Sequence, residues 1–416
     1  MKVNLISLGC PKNLVDSEKL LGSLGAAGIE ICTMPEYSDI IIINTCAFIE
    51  PAINETEEVI NNILTQTKNS RVYVYGCAVN RYEKRLKKAF PSVTGFFSLE
   101  QYDEFLKIIH KQAINTRSRL LTTQGYAYLK IADGCSNHCS YCTIPSIKGP
   151  LKSNSIDELY EEAKELAAYG VKELILIAQD TTAYGKDLYN KPMLSILIRR
   201  LSDIESIKWI RIMYSNPKSL NDGMINEISM NDKICKYLDL PIQHISDRIL
   251  KLMNRGVTKK QIHNQFMKLK QVKGISLRTT VIVGFPSETD IEFKELVNFI
   301  EEIDIDWLGV FPYYCETGTQ AAGFDQLPEY IIEKRYQELL KLQHKIIQMT
   351  NTKKIGETHK TLIHQKNTQY KGHTQYACPE IDSNVLINTD DLMLGEFCSA
   401  HFTGLSGCDI NAEVMR

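Results

Sequence analysis

The stretch Gly134-Cys135-Ser136-Asn137-His138-Cys139-Ser140-Tyr141-Cys142 carries three cysteines on one short loop, with an aromatic residue just before the last. A cubane iron–sulfur cluster usually takes four protein thiolates, so three of them leave one iron open for a small molecule. Structural zinc sites favour closed sets of four ligands. A disulfide needs an even number of cysteines and an oxidising compartment. The spacing therefore favours an iron–sulfur cluster over zinc or structural cysteines.

The composition is that of an ordinary globular chain. Of its 416 residues 44% are hydrophobic and 24% charged, and the formal net charge is −2. This length suits two or three domains. The charge gives no electrostatic reason to expect nucleic acid or an anionic membrane as a partner. No apolar run approaches the ~18 residues of a membrane span. We expect a cytoplasmic protein whose twelve cysteines are reduced.

Residues 1–118 are predicted to form a first domain in which strands and helices alternate. Such alternation implies a doubly wound parallel sheet. The predicted elements are a strand over Lys2–Leu8, a helix over Asp16–Gly28 capped by Asp16, a strand over Asp39–Asn44, a helix from Pro51 to about Thr67, a strand over Arg71–Gly76 and a helix around Arg81–Lys88.

Three cysteines follow the three predicted strands of this domain. Cys10 follows the first strand, Cys46 follows the isoleucine-rich strand and Cys77 follows the tyrosine-rich strand. Parallel strands end at the same edge of a sheet, which is where doubly wound folds bind ligands. The alternative is that three buried cysteines pack as small hydrophobic residues. Their equivalent positions favour a second three-cysteine cluster.

Residues 119–352 are predicted to form a second domain of six β-α units, in which the cysteine loop follows the first strand. The predicted strands are Tyr126–Ala132, Val171–Ala178, Lys208–Met213, Lys236–Leu240, Ser276–Val283 and Asp306–Phe311, and the last helix is Pro328–Thr350. A parallel sheet of this kind must curl, and in barrels of this type chemistry sits at the carboxyl ends of the strands.

Polar residues or a glycine stand at several of these strand ends, where an ordinary core would avoid them. Each could contact a ligand, or could serve only as a helix cap or a loop hydrogen bond. The candidates are Gln179, Asp180, Ser215 and Gln243, together with Val283 and Gly284 at the end of the fifth strand.

Residues 353–416 are predicted to form a small antiparallel β-barrel. Short alternating runs at Lys360–His364, Asn384–Asn388 and Glu396–Phe402 are separated by turn residues. From Lys354 onward there are 5 Lys and Arg against 8 Asp and Glu, a net charge of −3. Phosphate binding is difficult with that balance, so a basic protein suits this domain better than RNA as a partner.

These motifs resemble a known family. CxxxCxxC with an aromatic residue in the last gap is the pattern of the radical S-adenosylmethionine (SAM) superfamily. The resemblance to radical SAM proteins implies that the curled sheet of the second domain is a partial (β/α)6 barrel. The segments around Cys10, Asn44-Thr45-Cys46 and Gly76-Cys77 resemble the amino-terminal domain of the radical SAM methylthiotransferases. Cys10-Pro11-Lys12-Asn13 resembles the RimO branch, which modifies a ribosomal protein. The tail, with Cys378-Pro379-Glu380-Ile381-Asp382, resembles the TRAM domain that closes these enzymes, although His373 stands where the family often has Arg.

The resemblance implies two 4Fe–4S clusters and SAM as cofactors. Cys135, Cys139 and Cys142 would hold the cluster that binds SAM, and Cys10, Cys46 and Cys77 the second cluster. Tyr141 would contact the adenine, and Val283 and Gly284 would lie against the adenosine. Gln179 and Asp180 stand where many radical SAM enzymes bind the methionine amine, while Ser215 and Gln243 are candidates by position. No side chain is assigned as a general acid or base.

The function that the resemblance implies is methylthiolation of the β-carbon of an aspartate in small-subunit ribosomal protein S-twelve. One SAM would supply a 5′-deoxyadenosyl radical, a second SAM the methyl group, and the second cluster the sulfur. A one-electron donor such as flavodoxin or ferredoxin is the expected partner, and a monomer is the expected state. The alternative is methylthiolation of a tRNA adenosine, as in the MiaB branch. An iron–sulfur electron carrier or an RNA-binding module is a rival from another class.

Overall fold

The computed structural model describes residues 1–112, 116–389 and 391–415. Two compact units make up the chain. The first comprises Met1–Thr122, Asp133–Asn137 and Cys142–Leu151, and the second comprises Thr123–Ala132, His138–Tyr141 and Lys152–Arg416. The division into domains at residues 118/119 and 352/353 stays a prediction. Among the described residues, none of the helices combines the length and the apolar character needed to cross a bilayer.

The first unit is built on alternating strands and helices. In chain order these are β1 (Lys2–Ser7), α1 (Pro11–Ala26), β2 (Glu30–Ile31), β3 (Ile40–Thr45), α2 (Glu50–Gln66), β4 (Arg71–Gly76), α3 (Cys77–Ala89), β5 (Gly95–Phe97) and α4 (Tyr102–Ile109). The strands form one sheet in the order β2-β1-β3-β4-β5, with every pair parallel. The predicted doubly wound sheet is confirmed.

The isoleucine run of β3 lies between two hydrophobic cores. Ile40 and Ile42 pack on one face of the sheet with residues of α1 and α4. Ile41 and Ile43 pack on the other face with residues of α2 and α3. Successive side chains of a strand point to opposite faces, so a strand buried on both faces needs an unbroken apolar run.

Two helices of this unit begin earlier than the sequence predicts. Helix α1 begins at Pro11, not at Asp16, and its N-cap is the extended residue Cys10. Proline favours the first helical position because its fixed φ suits the helix and its missing N–H has no partner there. Helix α3 begins at Cys77 itself. Both cysteines therefore lie where a strand passes directly into a helix.

The chain then continues through a longer series of elements, the largest of which form the barrel of the second unit. These are β6 (Tyr126–Lys130), β7 (Ala132–Asp133), α5 (Ile144–Lys148), β8 (Lys152–Ser153), α6 (Ile156–Ala168), β9 (Glu173–Ile177), α7 (Leu194–Ser202), β10 (Trp209–Ile212), α8 (Asp222–Met230), β11 (Ile234–Asp239), α9 (Asp247–Leu252), α10 (Lys259–Leu269), β12 (Ser276–Val283), α11 (Asp290–Ile303), β13 (Trp307–Pro312) and α12 (Glu329–Thr352).

Six parallel strands of the second unit form one sheet, in the order β13-β12-β11-β10-β9-β6. Strand order follows chain order throughout, as in successive β-α units. All six predicted strands are present. The sheet is not closed, because its first and last strands, β6 and β13, are not paired with each other in this order. The structure thus confirms the partial (β/α)6 architecture.

The end of the chain forms a closed barrel of five strands. These are β14 (Thr358–Lys366), β15 (Tyr370–His373), β16 (Val385–Ile387), β17 (Phe397–Ser406) and β18 (Asp409–Val414). All pairs are antiparallel except β16 and β18, which run parallel. The sequence predicted three of these strands and missed β15 and β18; within β15, Gly372 resembles a turn residue. A Cβ at Gly372 would lie 2.6 Å from Thr361 Cγ2, so only glycine fits between these strands.

Some acidic residues of the tail pair with residues of the six-stranded sheet in the same unit. Glu380 accepts hydrogen bonds from the hydroxyls of Tyr126 and Tyr128, both at 3.0 Å. Asp382 accepts hydrogen bonds from Tyr237 at 2.8 Å and from Arg278 at 3.2 Å. The net charge counted from the sequence is therefore not the charge that this barrel presents to a partner.

Candidate functional site

Cys10, Cys46 and Cys77 follow β1, β3 and β4, which are neighbours in the first sheet. Chain order reverses between β1 and β3, and the crevice at such a switch point is where open α/β sheets bind ligands. Cys10 and Cys46 flank this crevice, and Cys77 lies one strand further along. Three residues that are far apart in sequence therefore end at one edge of the sheet, as predicted.

Two asparagines tie the three cysteine-bearing turns together. The side-chain amide of Asn13 donates to the carbonyl oxygens of Leu8 at 3.1 Å and Thr45 at 2.8 Å, and its oxygen lies 3.7 Å from the Cys77 sulfur. Asn44 in turn donates to the carbonyl oxygen of Asn13 at 3.0 Å. The Asn13 side chain thus contacts the turn after each of the three strands.

Glycine is required beside two of the cysteines. Gly9 has φ +87°, and a Cβ there would lie 2.5 Å from Cys46 Cβ and 2.9 Å from its sulfur. Gly76 has φ +104°, and a Cβ there would lie 2.5 Å from Asn44 Oδ1. Positive φ and close approach both exclude side chains. These two glycines let the turns after β1 and β4 close on the turn after β3.

The thiols of this triad lie in a partly desolvated environment. Burial raises the pKa of Cys77 to about 12, against the opposing effect of the Lys148 ammonium; Cys46 and Cys10 also raise it. Burial likewise raises the pKa of Cys46. A thiol must lose its proton to bind metal, so cluster assembly releases these protons. The influence of Cys46 and Cys10 on Cys77 is consistent with three thiols gathered in one place.

Helix α5, which follows Cys142, packs against the turns of the first unit. Thr143 donates from its hydroxyl to the carbonyl oxygen of Phe48 at 2.9 Å, two residues after Cys46. Asn80, three residues after Cys77, donates to the carbonyl oxygen of Ile147 at 3.1 Å. The segment that carries Cys142 is therefore held by the turns that carry Cys46 and Cys77.

Lys148 at the end of α5 is a buried cation within the same unit. Its ammonium lies 3.7 Å from an oxygen of Asp16 on α1 and 3.2 Å from an oxygen of Asp133. Two carboxylates offset the cost of burying this charge. The ion pair with Asp16 joins α5 to α1, the helix whose N-cap is Cys10. Nothing in the spacing of the sequence pointed to Lys148, because both carboxylates lie far from it along the chain.

The cysteine loop belongs to both units. Cys135 and Cys142 fall in the first unit and Cys139 in the second. The backbone N–H of Cys135 donates to the carbonyl oxygen of Gly149 at 3.1 Å. In the described parts of the chain, no three Cys, His, Asp or Glu side chains are grouped tightly enough to bind a single metal ion. The donors that each triad offers are thiols only, and thiolates are the ligands of iron–sulfur clusters.

The carboxyl ends of the second sheet carry unusual backbone conformations. Tyr214 after β10 has φ +57° and Gln243 after β11 has φ +71°, both in the left-handed region. Non-glycine residues in this region cluster at ligand sites, because the surrounding structure must hold the strain. The backbone of Gln243 is fixed by hydrogen bonds to Thr280 and Ile282 on the neighbouring strand.

The predicted contact residues lie at these strand ends with different surroundings. Asp180 caps a short turn, since one of its oxygens accepts hydrogen bonds from Thr182 at 2.5 Å and Ala183 at 3.1 Å. Gln179 beside it is half-buried. Ser215 is buried, and its hydroxyl has no partner among the residues that the structure describes. An unpaired buried hydroxyl is costly unless a ligand or water satisfies it.

Gly284 follows the buried Val283 at the end of β12 and is required for a reason that the sequence does not show. It has φ +73°, and a Cβ there would lie 2.7 Å from the side chain of Ile332 on α12. Its backbone N–H donates to Glu288 at 2.5 Å. The crowding that excludes a side chain comes from within the protein, where the sequence had suggested close approach of a ligand.

Tyr141 is packed into an apolar cluster of the second unit. Its ring meets Phe285 edge to face, with centroids 6.5 Å apart, and Ile249, Met253 and Tyr313 belong to the same cluster. Phe285 follows Gly284 directly. The predicted adenine contact and the predicted adenosine segment therefore meet in one place.

Arg255 is a residue of this region that the sequence analysis missed. Its guanidinium is buried, and one nitrogen lies 3.6 Å from the Cys139 sulfur. Burial alone would lower the pKa of Arg255, but Tyr141 and Cys139 outweigh that effect and raise it. Among the described residues its Nε atom has no partner. Arg255 lies just after α9 between Asn254 and Gly256, two residue types that favour positive φ, and this was the available signal.

The residues of the two cysteine triads and of the strand ends in the second unit suit iron–sulfur clusters and SAM. The first unit offers three thiols at a ligand-binding edge, and the loop of 135–142 offers three more. The second unit holds unpaired polar atoms on Ser140, Ser215 and Arg255. Such atoms suit a polar ligand such as SAM, which carries an amine, a carboxylate and a ribose.

Three family models match successive parts of the chain. The radical SAM superfamily matches residues 129–300, the uncharacterised protein family UPF0004 matches residues 2–98, and the TRAM domain matches residues 355–415. The fold and the cysteine loop thus define a radical SAM enzyme, whose superfamily implies SAM and a 4Fe–4S cluster as cofactors.

Full-length relatives narrow this class. The chain is 41% identical to ribosomal protein uS12 methylthiotransferase RimO of Aquifex aeolicus, over 99% of this chain and 96% of that protein. It is 42% identical to the protein of the same name from Clostridioides difficile, over 100% of this chain and 99% of that protein. The chain belongs to the RimO family of radical SAM methylthiotransferases.

Solved structures agree in fold. The radical SAM methyltransferase TsrM of Kitasatospora setae, solved with cobalamin and a [4Fe-4S] cluster, aligns with a TM-score of 0.53 at 13% identity, over 75% of this chain and 74% of that one. At this identity the likeness concerns the fold alone.

Proposed function

We propose that this chain transfers a methylthio group to the β-carbon of an aspartate in ribosomal protein uS12, with SAM as both radical source and methyl donor. The observation that carries the proposal is the placement of Cys10, Cys46 and Cys77 at one ligand-binding edge, in a chain that also has a radical SAM cysteine loop. Full-length identity of 41% and 42% with proteins named for uS12 supports the substrate.

In this proposal Cys135, Cys139 and Cys142 hold a 4Fe–4S cluster that leaves one iron open for SAM. Such a cluster would supply the single electron for reductive cleavage of SAM. The protein's task is to orient SAM and to exclude water from the radical. The apolar cluster of Tyr141, Phe285 and Met253 suits the exclusion of water.

The second proposed site uses Cys10, Cys46 and Cys77 to hold another 4Fe–4S cluster, which when bound carries the sulfur that is methylated and transferred. Asn13 and Asn44 keep the three turns in register for this role. The Lys148 ammonium places positive charge near Cys77, which favours its thiolate.

Residues at the carboxyl edge of the second sheet are the proposed SAM contacts. Tyr141 and Gly284, with Val283, border the adenosine in this assignment. The unpaired hydroxyl of Ser215 and the side chains of Gln179 and Gln243 remain for polar groups of SAM. Asp180 acts mainly by shaping the turn beside Gln179, because its carboxylate caps that turn.

The partners follow from the chemistry. A low-potential one-electron donor of the flavodoxin or ferredoxin type is proposed, and the enzyme is proposed to work as a monomer in the cytoplasm, where its cysteines stay reduced. The tRNA alternative is not favoured by the barrel. His373, which replaces an Arg common in the family, is fully buried and cannot contact a phosphate on the surface.

The experiment compares two substrates with one preparation. Full-length enzyme is reconstituted anaerobically, mixed with SAM and a reductant, and given either unmodified 30S subunits or unmodified tRNA. Mass spectrometry then follows both. We expect a methylthio group on one aspartate of uS12 and none on the tRNA. A product on tRNA alone would overturn the proposal.

Two cysteine variants assign the two sites. Cys139→Ala should abolish SAM cleavage, whereas Cys46→Ala should leave SAM cleavage and remove only methylthio transfer. Cys235→Ala is the matched control, because Cys235 is a buried cysteine of β11 outside both triads. If Cys46→Ala still made product, the first triad would not be the sulfur site.

A further inference from the structure

The loop that follows α9 holds the cysteine loop residue by residue. The backbone N–H of Ser140 donates to the carbonyl oxygen of Met253 at 3.1 Å. The side-chain amide of Asn254 donates to the carbonyl oxygen of His138 at 2.7 Å. Arg255 Nη1 points its N–H at the Cys139 sulfur, 3.6 Å away. Three consecutive residues, 253–255, therefore contact three consecutive residues, 138–140.

The Arg255 side chain is fixed from both ends. Its Nη2 atom donates to the carbonyl oxygen of Pro241 at 2.8 Å, and its backbone N–H donates to Leu250 at 3.0 Å. Asn254 and Gly256 on either side have φ +55° and +62°, so the backbone turns sharply to present this residue inward. A planar guanidinium held in this way keeps one direction toward the sulfur.

Arg255 differs from the other buried arginines of the second unit in its counter-charge. Arg211 pairs with Glu173, and Arg335 pairs with Glu288. No carboxylate within the described residues makes an ion pair with Arg255, although the residue is only 8% exposed. A buried charge is strongly unfavourable unless an anion offsets it. Asp180 acts on Arg255 electrostatically, but within the described residues it forms no ion pair with the guanidinium. The nearest candidate is the Cys139 sulfur, which is a thiolate when it binds metal.

We propose that Arg255 is a positioning residue that hydrogen-bonds the Cys139 thiolate and raises the reduction potential of the cluster that this thiolate holds. The inference rests on the proposed function, since it takes Cys139 as a cluster ligand. Hydrogen bonds to cluster sulfurs and nearby charge are the means by which a protein sets such potentials. One-electron reduction adds negative charge to the cluster, and a fixed cation beside it stabilises the reduced form. Arg255 thereby makes one-electron reduction of the cluster more favourable.

The test measures this potential in a full-length background that holds one cluster only. Cys10, Cys46 and Cys77 are replaced by Ala, and Arg255→Gln, Arg255→Lys and Arg248→Gln are made in that background. Arg248 is the matched control, because it lies on α9 and pairs with Glu292 away from the cysteine loop. Thermal unfolding checks each variant. Redox titration followed by EPR is carried out without SAM.

We expect Arg255→Gln to lower the ratio of reduced to oxidised cluster at least tenfold at a fixed potential, which is about 59 mV for a one-electron couple. Arg255→Lys keeps the charge but loses the planar fork, so a smaller shift in the same direction is expected. Arg248→Gln should leave the potential unchanged. Resonance Raman bands of the Fe–S(Cys) bonds should move in the two Arg255 variants only.

The outcomes separate this inference from the proposed function. If the background protein binds no iron and sulfide at all, the proposed site is wrong. If the cluster assembles and its SAM-free potential is the same in the background protein and in its Arg255→Gln and Arg255→Lys variants, the inference is overturned. An unchanged SAM-free potential overturns the inference even if these variants bind SAM more weakly, because Arg255 would then be a SAM contact.

Discussion

The imidazole of His373 lies 2.6 Å from the carboxylate of Glu173, Nε2 to Oε2, and both side chains are fully buried. The other carboxylate oxygen of Glu173 accepts a hydrogen bond from Arg211 Nε at 2.7 Å. Arg211 also donates to the carbonyl oxygens of Thr374 and Gln375. One carboxylate on β9 therefore joins the terminal barrel to the six-stranded sheet.

Glu173→Gln is expected to destabilise the second unit by about 3 to 5 kcal/mol, because it leaves the buried charge of Arg211 without a counter-charge. The free energy of unfolding in urea at pH 7 measures the effect. Glu161→Gln is the control, since Glu161 pairs with Lys164 on the surface. An exposed pair contributes at most about 1 kcal/mol. Equal effects of the two variants would contradict the role of Glu173.

Stability is expected to fall between pH 7 and pH 5 through His364. Burial, and then the neighbouring His373, lower the pKa of His364 from 6.5 to about 3. His364 therefore takes up a proton near pH 6.5 in the unfolded chain but only near pH 3 in the folded protein. Lowering the pH through this window favours unfolding, by about 2 kcal/mol at most between pH 7 and 5.

His364→Gln should reduce this pH dependence without abolishing it, because burial also lowers the pKa of His373, which keeps its own contribution. His263→Gln on α10 controls for the loss of an imidazole. Glu173 does not interfere at these pH values. Burial alone would raise the pKa of Glu173, but Arg211 and His373 outweigh it and lower the pKa to about 2. Its contribution is lost only below about pH 4.5. An unchanged slope in His364→Gln would refute the assignment.

Asn13→Ala is expected to impair the first triad without removing a thiol. The change leaves the carbonyl oxygens of Leu8 and Thr45 without the amide that binds both. A cost of about 2 to 4 kcal/mol in unfolding free energy is expected from these groups. The iron and sulfide content of the reconstituted protein should fall by the amount that one 4Fe–4S cluster contributes. Asn61→Ala, on the exposed side of α2, is the control. If Asn13→Ala bound as much iron and sulfide as the wild-type protein, the hydrogen bonds of Asn13 would not be needed to position the three turns.

Gly9→Ala tests the close approach between the turns after β1 and β3. The added Cβ must displace Cys46, so we expect loss of the second cluster and of methylthio transfer while SAM is still cleaved. Gly28→Ala is the matched control, because Gly28 also has positive φ but a Cβ there meets nothing within 4 Å. Both variants share a strain of about 1 kcal/mol from φ. If both retained iron equally, steric contact with Cys46 would not matter.

Strands β1, β3 and β4 of the first sheet and all six strands of the second could be predicted from the sequence, because each is an apolar run between turn residues; the short strands β2 and β5 were not predicted. The unbroken Ile40–Ile43 predicted burial on two faces, and the two cores confirm it. The common edge of Cys10, Cys46 and Cys77 followed from parallel strands alone.

Contacts between distant side chains could not be read in this way. Asn13 bonds to Thr45 across 32 positions, and Arg255 reaches Cys139 across 116. Contacts over such separations produce no periodic pattern in the sequence. The net charge of the tail gave a wrong picture of the charge on the barrel surface for the same reason. Glu380 and Asp382 accept hydrogen bonds from residues more than 100 positions away along the chain. Helix α1 was placed too late because Pro11 was not taken as a helix start.

The membership of Cys142–Leu151 in the first unit has a consequence for synthesis. Domains form in order as the chain leaves the ribosome, starting from the amino terminus. Here the first unit lacks the partners of Phe48, Asn80 and Asp16 until α5 has emerged. A nascent chain that has reached only Thr122 exposes this face of the first unit. The amino-terminal unit therefore matures in two stages, and its final stage comes after β6, the first strand of the next unit, has been translated.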